Sequence, residues 1–237
     1  MNNDFTYRIF PLGDSALTID FGNTIDENIN RKIISLFKVL QIDPLPGMIE
    51  AIPAYSSISI LYNVIALKKN VPADKTVYEW IREKTEFFLR QHNQSDNSAS
   101  AIIKIPVCYD EEFAPDMARI IKEKKISKEE VIQIHTGKQY RVYMLGFLPG
   151  FPYLGEIDEK IAMPRKPQPQ SVAAGSVAIA GKQTGIYPLT SPGGWSVIGR
   201  TPIKLFDAEK EELTLLKAGN MVEFYSISKE EFLKMQS

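Results

Sequence analysis

The chain has 237 residues, 44% of them hydrophobic and 24% charged, which is ordinary globular composition and enough length for two domains. Its formal net charge of −1 creates no long-range field to recruit nucleic acid or an anionic membrane surface, so neither is expected as a partner. Cys108 is the single cysteine, which rules out an internal disulfide and a cysteine-rich metal site.

The first residues lack a basic start followed by an apolar run, and no stretch of about 18 apolar residues occurs, so neither a signal peptide nor a membrane span is expected. A cytoplasmic location is the corresponding expectation. Residues 5–21 read as two short strands around Pro11-Leu12-Gly13-Asp14. Residues 26–42 carry a helical period, with Asp26 as N-cap and Ile29, Ile33, Leu36, Phe37 and Leu40 on one apolar stripe. Pro44, Pro46 and Gly47 end it. Two strand-like runs follow, 48–53 and 57–62, and the alternation of the second predicts one wet face. Residues 74–91 form a second amphipathic helix, with Asp74 as cap and Val77, Trp80, Ile81, Phe87 and Phe88 facing inward. This order predicts a small sheet with helices on one face, an α+β layer over residues 1–92.

Residues 93–100 are polar and small, and mark the expected linker, with His92 solvated at its edge. The second domain is expected over 101–237. Residues 102–107 read as a strand, and 115–123 and 127–135 as short helices, the second capped by Ser127 with Glu129 and Glu130 in its first turn. From Tyr140 onward short strands alternate with Gly/Pro turns, the texture of a β-barrel or sandwich, and 228–235 closes the chain as a short helix.

Four segments of this second half carry candidate chemistry. Residues 144–155, MLGFLPGFPYLG, interleave glycines and prolines with Phe147, Phe151 and Tyr153, which fixes a backbone path and sets large rings along it. The same composition suits a hairpin corner with a core aromatic cluster. Pro164, Pro167 and Pro169 make an extended arm around Arg165, whose planar fork suits a carboxylate or phosphate, or simply water. Gly181-Lys182-Gln183-Thr184-Gly185 lacks the spacing of a phosphate-binding loop, yet a turn with free N–H groups beside Lys182 is an anion cradle; the alternative is a hairpin with a glycine bulge. Ser191–Trp195 is a tight turn presenting an indole, with Arg200 after it, either as the wall of a small-ligand pocket or as a plug at a barrel end. His135 ends a predicted helix, where the dipole favours it; the same position suits an acid/base near neutral pH. With two histidines so placed and one cysteine, no zinc site is expected.

These residues, in order and register, resemble one family. His135, Tyr140–Gly155, Pro164-Arg165, Ala174–Val177, Gly181, Gln183–Pro188, Ser191–Trp195, Ile198–Thr201 and Leu205–Asp207 carry the resemblance, densely in the second half and more sparsely at Pro11–Ala16 and Pro53–Tyr55. The family is known as allophanate hydrolase subunit 1, as the B subunit of 5-oxoprolinase, or as the sensor histidine kinase inhibitor family. The resemblance implies an N-terminal α+β domain and a C-terminal cyclophilin-like β-barrel. It also implies work with a homologous second barrel subunit and a third, hydrolase-like subunit, in the ATP-dependent opening of 5-oxo-L-proline to L-glutamate. ATP is then a substrate of the complex, and no bound metal is expected on this chain.

On that reading His135 and Arg200 are the candidate catalytic residues. Arg165, Tyr187, Trp195, Phe147, Phe151 and Thr184 contact substrate, and Gly181, Lys182, Gln183 and Gly185 donate to an anion. Two other readings accompany it. One is an inhibitor that docks on the dimerisation helices of a sensor histidine kinase through exposed Phe147, Phe151 and Trp195. The other is a carboxyltransferase-like role in urea or allophanate metabolism, against which the chain shows no biotin-attachment lysine motif or biotin-carboxylase region.

Overall fold

The computed structural model describes residues 6–92 and 101–236; the expected linker at 93–100 lies outside the described residues. The chain divides into two compact units, Met1–Ala99 and Ser100–Ser237. The fold is of the expected α+β class.

In the first unit, strands β1 (Arg8–Pro11), β2 (Ala16–Asp20), β3 (Met48–Pro53) and β4 (Ser57–Tyr62) form an antiparallel sheet in the order β1-β2-β4-β3. Helix α1 (Glu27–Ile42) begins where Asp26 accepts the N–H groups of Asn28 and Ile29, which satisfies two otherwise orphaned donors. Its Ile33, Leu36 and Leu40 share a core with Leu17, Ile19, Ile58 and Ile60 from the sheet. A short helix not expected from the sequence, α2 (Val64–Lys68), follows β4.

Helix α3 (Val77–Gln91) starts later than predicted. Thr76, not Asp74, is its cap, because Thr76 and Glu79 close a reciprocal capping box. Phe88 is buried with Ile81, seven residues earlier on the same face, but Phe87 is 55% exposed. The buried stripe of the helix is Ile81, Thr85, Phe88 and Leu89, spaced at helical period, and Phe87 falls just outside it. His92 ends the helix with its ring 4.5 Å from that of Phe88, packed rather than merely solvated.

The second unit contains a closed barrel. Its strands are β5 (Ile102–Cys108), β6 (Gln139–Leu145), β7 (Pro152–Gly155), β9 (Ser176–Ala180), β10 (Gln183–Ile186), β12 (Ser196–Arg200) and β13 (Met221–Ile227). They run in the order β10-β7-β6-β13-β5-β12-β9, and β9 pairs with β10 to close the ring. Every strand of the ring has two neighbours, although β12 meets β5 only where Arg200 stands opposite Cys108. All pairings are antiparallel except that of β5 with β13, which are parallel over seven residue pairs. A two-stranded ribbon, β8 (Gln170–Val172) with β11 (Ser191–Gly193), is separate from the barrel sheet.

Helices α4 (Met117–Lys124), α5 (Lys128–Thr136) and α6 (Lys229–Gln236) complete the unit. The main core joins Val107, Val142, Leu154, Ile179, Ile198 and Phe224 to Met117, Ile120 and Val131 from α4 and α5. The barrel is therefore packed with hydrocarbon, and a ligand site must lie outside that core.

Helix α5 opens with a second capping box, Ser127 with Glu130. Ser127→Ala is expected to cost about 1 kcal/mol of stability, seen as a lowered midpoint of urea unfolding with an unchanged slope.

Candidate functional site

The Gly/Pro/aromatic segment forms the corner between β6 and β7. Its turn is closed by Gly146 N–H to the Phe151 carbonyl (3.2 Å) and Phe151 N–H to the Leu148 carbonyl (3.0 Å). Phe151 turns into a small second core with Val172, Ala178, Ala180, Tyr187, Trp195 and Val197. Its ring lies edge-on to Tyr187 (5.1 Å, 80°) and Trp195 (5.5 Å, 90°), arrangements favoured by the aromatic quadrupole. A Cβ on Gly185 would stand 2.9 Å from the Phe151 ring, so the glycine is what lets the ring lie against β10. Gly193 does the same for the Tyr187 phenol, where a Cβ would stand 2.4 Å from Oη. Burial raises the Tyr187 pKa, and a hydrogen bond from the Trp195 main-chain N–H works in the opposite sense.

Phe147 stands apart from this cluster. It is 62% exposed and holds φ +69°, a left-handed conformation that a bulky side chain rarely adopts. Its ring meets Phe151 at 88° and Tyr187 at 90°. An exposed aromatic in this backbone conformation at the rim of an aromatic cluster makes Phe147 a candidate for ligand contact.

Together these rings line one wall of an open groove of about 390 Å³, with Tyr153 beside them. Arg165, Lys166, Pro167 and Pro169 of the proline arm also line the groove, as do Pro192 and Gly193 at the end of β11 and Gly194 after them. The Arg165 guanidinium lies 5.9 Å from the Trp195 ring centroid, within cation–π range. Arg165 is exposed and forms no ion pair among the described residues. The groove thus offers a flat apolar wall, one cation without a carboxylate partner among those residues, and an opening to solvent. That suits a small planar molecule bearing an anionic group.

Phe147, Phe151, Tyr187, Trp195 and Arg165 are brought together in this way; other candidates stand elsewhere. Arg200 ends β12, and its Nε donates to the Ala174 carbonyl at 2.8 Å. The side chain tethers a loop and does not line the groove. His135 is fully buried. Thr184 Oγ1 donates to the Ala178 carbonyl (3.1 Å), so it accepts from His135 Nε2 (3.0 Å), and Nδ1 accepts from the Tyr109 hydroxyl (2.8 Å). That assignment fixes a neutral imidazole, stacked on Phe224 at 4.5 Å. Burial lowers the His135 pKa to about 3, so the ring is not an acid/base at neutral pH, and neither His135 nor Thr184 lines the groove.

The 181–185 hairpin is docked onto the preceding loop. Gly181 N–H donates to the Met163 carbonyl (2.6 Å), the Lys182 carbonyl accepts from Ile157 N–H (2.8 Å), and Lys182 pairs with Glu159 at 2.5 Å. Gln183 and Gly185 lie within the β10 ladder. With these donors engaged, the hairpin does not fit a nucleotide phosphate, and no ATP step is assigned to it. The rings expected to be exposed for kinase docking also divide. Phe151 is 1% and Trp195 5% exposed, which leaves Phe147 as the accessible one of the three.

One groove residue, Lys166, and the residue that holds it, Asp116, escape sequence reasoning. Lys166 adjoins Arg165 but gives no local sign that it turns inward, and Asp116, its partner at 2.8 Å, lies fifty residues upstream. Only the tertiary structure joins them. No helix among the described residues is long and apolar enough to cross a membrane.

Residues 7–216 match the family model described as carboxyltransferase domain, subdomain C and D. A Bacillus subtilis (strain 168) protein named as the B subunit of 5-oxoprolinase is 43% identical over 228 residues, covering 95% of each chain. The chain belongs to this 5-oxoprolinase family. The protein of the same name from Escherichia coli O157:H7 is 35% identical over 92% of this chain and 94% of that protein. Among solved structures, TTHA0988 is 34% identical with a TM-score of 0.77; the match covers 90% of this chain and 40% of the longer TTHA0988 chain. The family resemblance read from residues 135–207 is therefore supported along nearly the whole chain.

Two outcomes follow from this geometry. Because His135 binds a proton in the unfolded chain near pH 6.5 but in the folded state only near 3, the stability it contributes is complete above pH 6.5 and falls as pH drops through that interval, by about 1.4 kcal/mol per unit. Urea unfolding from pH 7 to 4 checks this, and His135→Gln is expected to flatten the slope. Gly193→Ala is expected to displace the Tyr187 phenol and cost about 1–3 kcal/mol, measured by urea unfolding together with a shift in tryptophan emission.

Proposed function

We propose that this chain is a subunit of a bacterial ATP-dependent 5-oxoprolinase complex and that its groove receives the lactam substrate. The complex converts 5-oxo-L-proline, ATP and water to L-glutamate, ADP and phosphate, working with a homologous second barrel subunit and a third, hydrolase-like subunit. Two relatives at 43% and 35% identity are named as 5-oxoprolinase subunits, which supports the assignment to such a complex. The observation that carries the groove reading is the exposed Arg165 cation laid over the Trp195 indole, with no acidic partner among the described residues.

5-Oxoproline is a flat five-membered lactam bearing one carboxylate. Its ring matches the more accessible Phe147 and Tyr153, which Trp195 backs from beneath, and its carboxylate matches the guanidinium fork. A lactam carbonyl is a poor electrophile. Phosphoryl transfer to its oxygen activates the carbonyl carbon; water adds there, the C–N bond breaks with nitrogen keeping the electron pair and taking a proton, and the resulting γ-glutamyl phosphate is hydrolysed by a second water to glutamate and phosphate. The ATP-handling step belongs to the assembled complex. This chain's share is to bind the carboxylate and fix the ring, which supplies orientation rather than proton transfer. His135 and Thr184 support the barrel beneath, and Arg200 ties down the loop at Ala174. The reaction's need for ATP and the lone buried Cys108 both suit the cytoplasm.

The test is co-expression with the two partner subunits, followed by measurement of glutamate release from 5-oxoproline with and without ATP. ATP-dependent release is expected from the complex. Arg165→Ala is expected to raise KM for 5-oxoproline about tenfold or more, with a smaller change in kcat. Since the side chain is exposed, thermal stability is expected to hold. An unchanged KM rejects the groove as the substrate site, and no glutamate release from the wild-type complex rejects the activity.

A further inference from the structure

We propose that Asp116 and Lys166 form a positioning pair that holds Arg165 against Trp195. The arm carrying Arg165 has little to hold itself with. Pro164, Pro167 and Pro169 have no N–H to donate, and most of 164–170 is exposed. Lys166 is the exception, with a side chain only 10% exposed. Its Nζ lies 2.8 Å from Asp116 Oδ2 and 3.0 Å from Gln170 Oε1, and its main-chain N–H donates to the Gly194 carbonyl at 2.7 Å. The arm is thus fastened by both the main chain and the side chain of the residue that follows Arg165.

Asp116 serves the other partner of the cation–π contact. It occupies the N-cap position of α4, where a carboxylate usually accepts from the helix's own first N–H groups, yet its side chain makes no such bond. The same Oδ2 accepts from Val197 N–H at 2.7 Å, and Asp116 N–H donates to the Val197 carbonyl at 3.1 Å. Gly194 and Val197 flank Trp195. The residue after Arg165 is therefore linked to both sides of the indole that Arg165 covers, through its main-chain N–H to Gly194 and through the ion pair to Val197.

An ion pair withdrawn from water is a poor source of stability, because desolvation consumes most of its attraction. What it supplies is a fixed distance between the Arg165 arm and the indole segment beyond the point where the β8–β11 ribbon, which pairs Gln170 with Gly193, stops holding them together. An arginine held in place beforehand loses less conformational freedom when an anion binds. The proposal rests on the groove reading only where it bears on substrate; the contact between Arg165 and Trp195 is testable without any ligand.

The test uses the full chain in a Trp80→Phe background, which leaves Trp195 as the only indole of the two in the sequence. Asp116→Asn combined with Lys166→Met removes both charges, leaves no charge buried alone, and keeps an oxygen for Val197 N–H. The expected result is cooperative unfolding retained, Trp195 emission shifted to the red, and acrylamide quenching raised toward that of an exposed indole. Lys166→Arg, which keeps the charge, is expected to remain close to wild type. Should the double variant fail to fold, Lys166→Gln gives the same readout with Asp116 left able to accept from an amide.

Unchanged emission and quenching in a folded variant that lacks the pair overturns the proposal. In the assembled complex the same variants are expected to raise KM for 5-oxo-L-proline about tenfold with a smaller effect on kcat. Altered quenching with an unchanged KM supports the positioning pair and rejects the groove as the substrate site, so the two failures are distinguishable.

Discussion

Phe151 lies edge-on between Tyr187 and Trp195, in the space that Gly185 leaves free by having no side chain. Tyr153 and Phe147 meet the same ring at 62° and 88°. The ring is 1% exposed, and burying a phenylalanine side chain contributes on the order of 1.5–3 kcal/mol. Its larger effect is geometric. It sets the indole and phenol planes that become the groove wall, and its own position is set by a turn whose chain path is fixed by glycines and a proline. Removing the ring would undo that cluster without touching the main barrel core, because the two sets of buried residues are separate.

That separation also accounts for the two kinds of polar group in this unit. His135, Thr184 and Tyr109 belong to the interior. Each satisfies another in a closed chain of hydrogen bonds, and the imidazole remains neutral because nothing nearby repays the cost of charging it. Arg165 and Lys166 belong to the outer face, where charge is hydrated or paired. A histidine in a family hallmark invites a catalytic reading, but here its surroundings make it part of the packing.

Much of the framework is legible in the sequence because its signals are local. Asp26 and Ser127 cap helices through bonds two and three residues away, and the 48–53 and 57–62 strands coincide with the apolar runs that announce them. Where two local signals compete, the stronger wins: the Thr76–Glu79 box satisfies two donors and displaces Asp74 as the start of α3. The groove is partly legible, since Phe151, Tyr187 and Trp195 are large rings fixed by Gly/Pro turns. The face and position each residue takes on a closed barrel are less so. Thr184 and Gly185 are neighbours on β10, yet Thr184 bonds to a core histidine while Gly185 abuts Phe151. Arg200 is five residues from Trp195, about 16 Å along a strand that rises about 3.3 Å per residue. Neighbours in sequence thus part company in the fold, and Asp116 and Lys166 show the converse.

The parallel pairing of β5 with β13 has a consequence for how the molecule is made. Residues 102–108 and 221–227 enclose nearly all of the second unit between them, and their seven matched pairs form one seam of the barrel. A nascent chain can complete the β9–β10 hairpin as soon as it emerges, but this seam must wait until its final strand has left the ribosome. Until then the first strand lacks one of its two neighbours, and its apolar side chains have no finished interior to enter. Closure is a late, long-range event of the kind that slows folding, and during that interval the unfinished barrel exposes apolar surface of the kind that invites association.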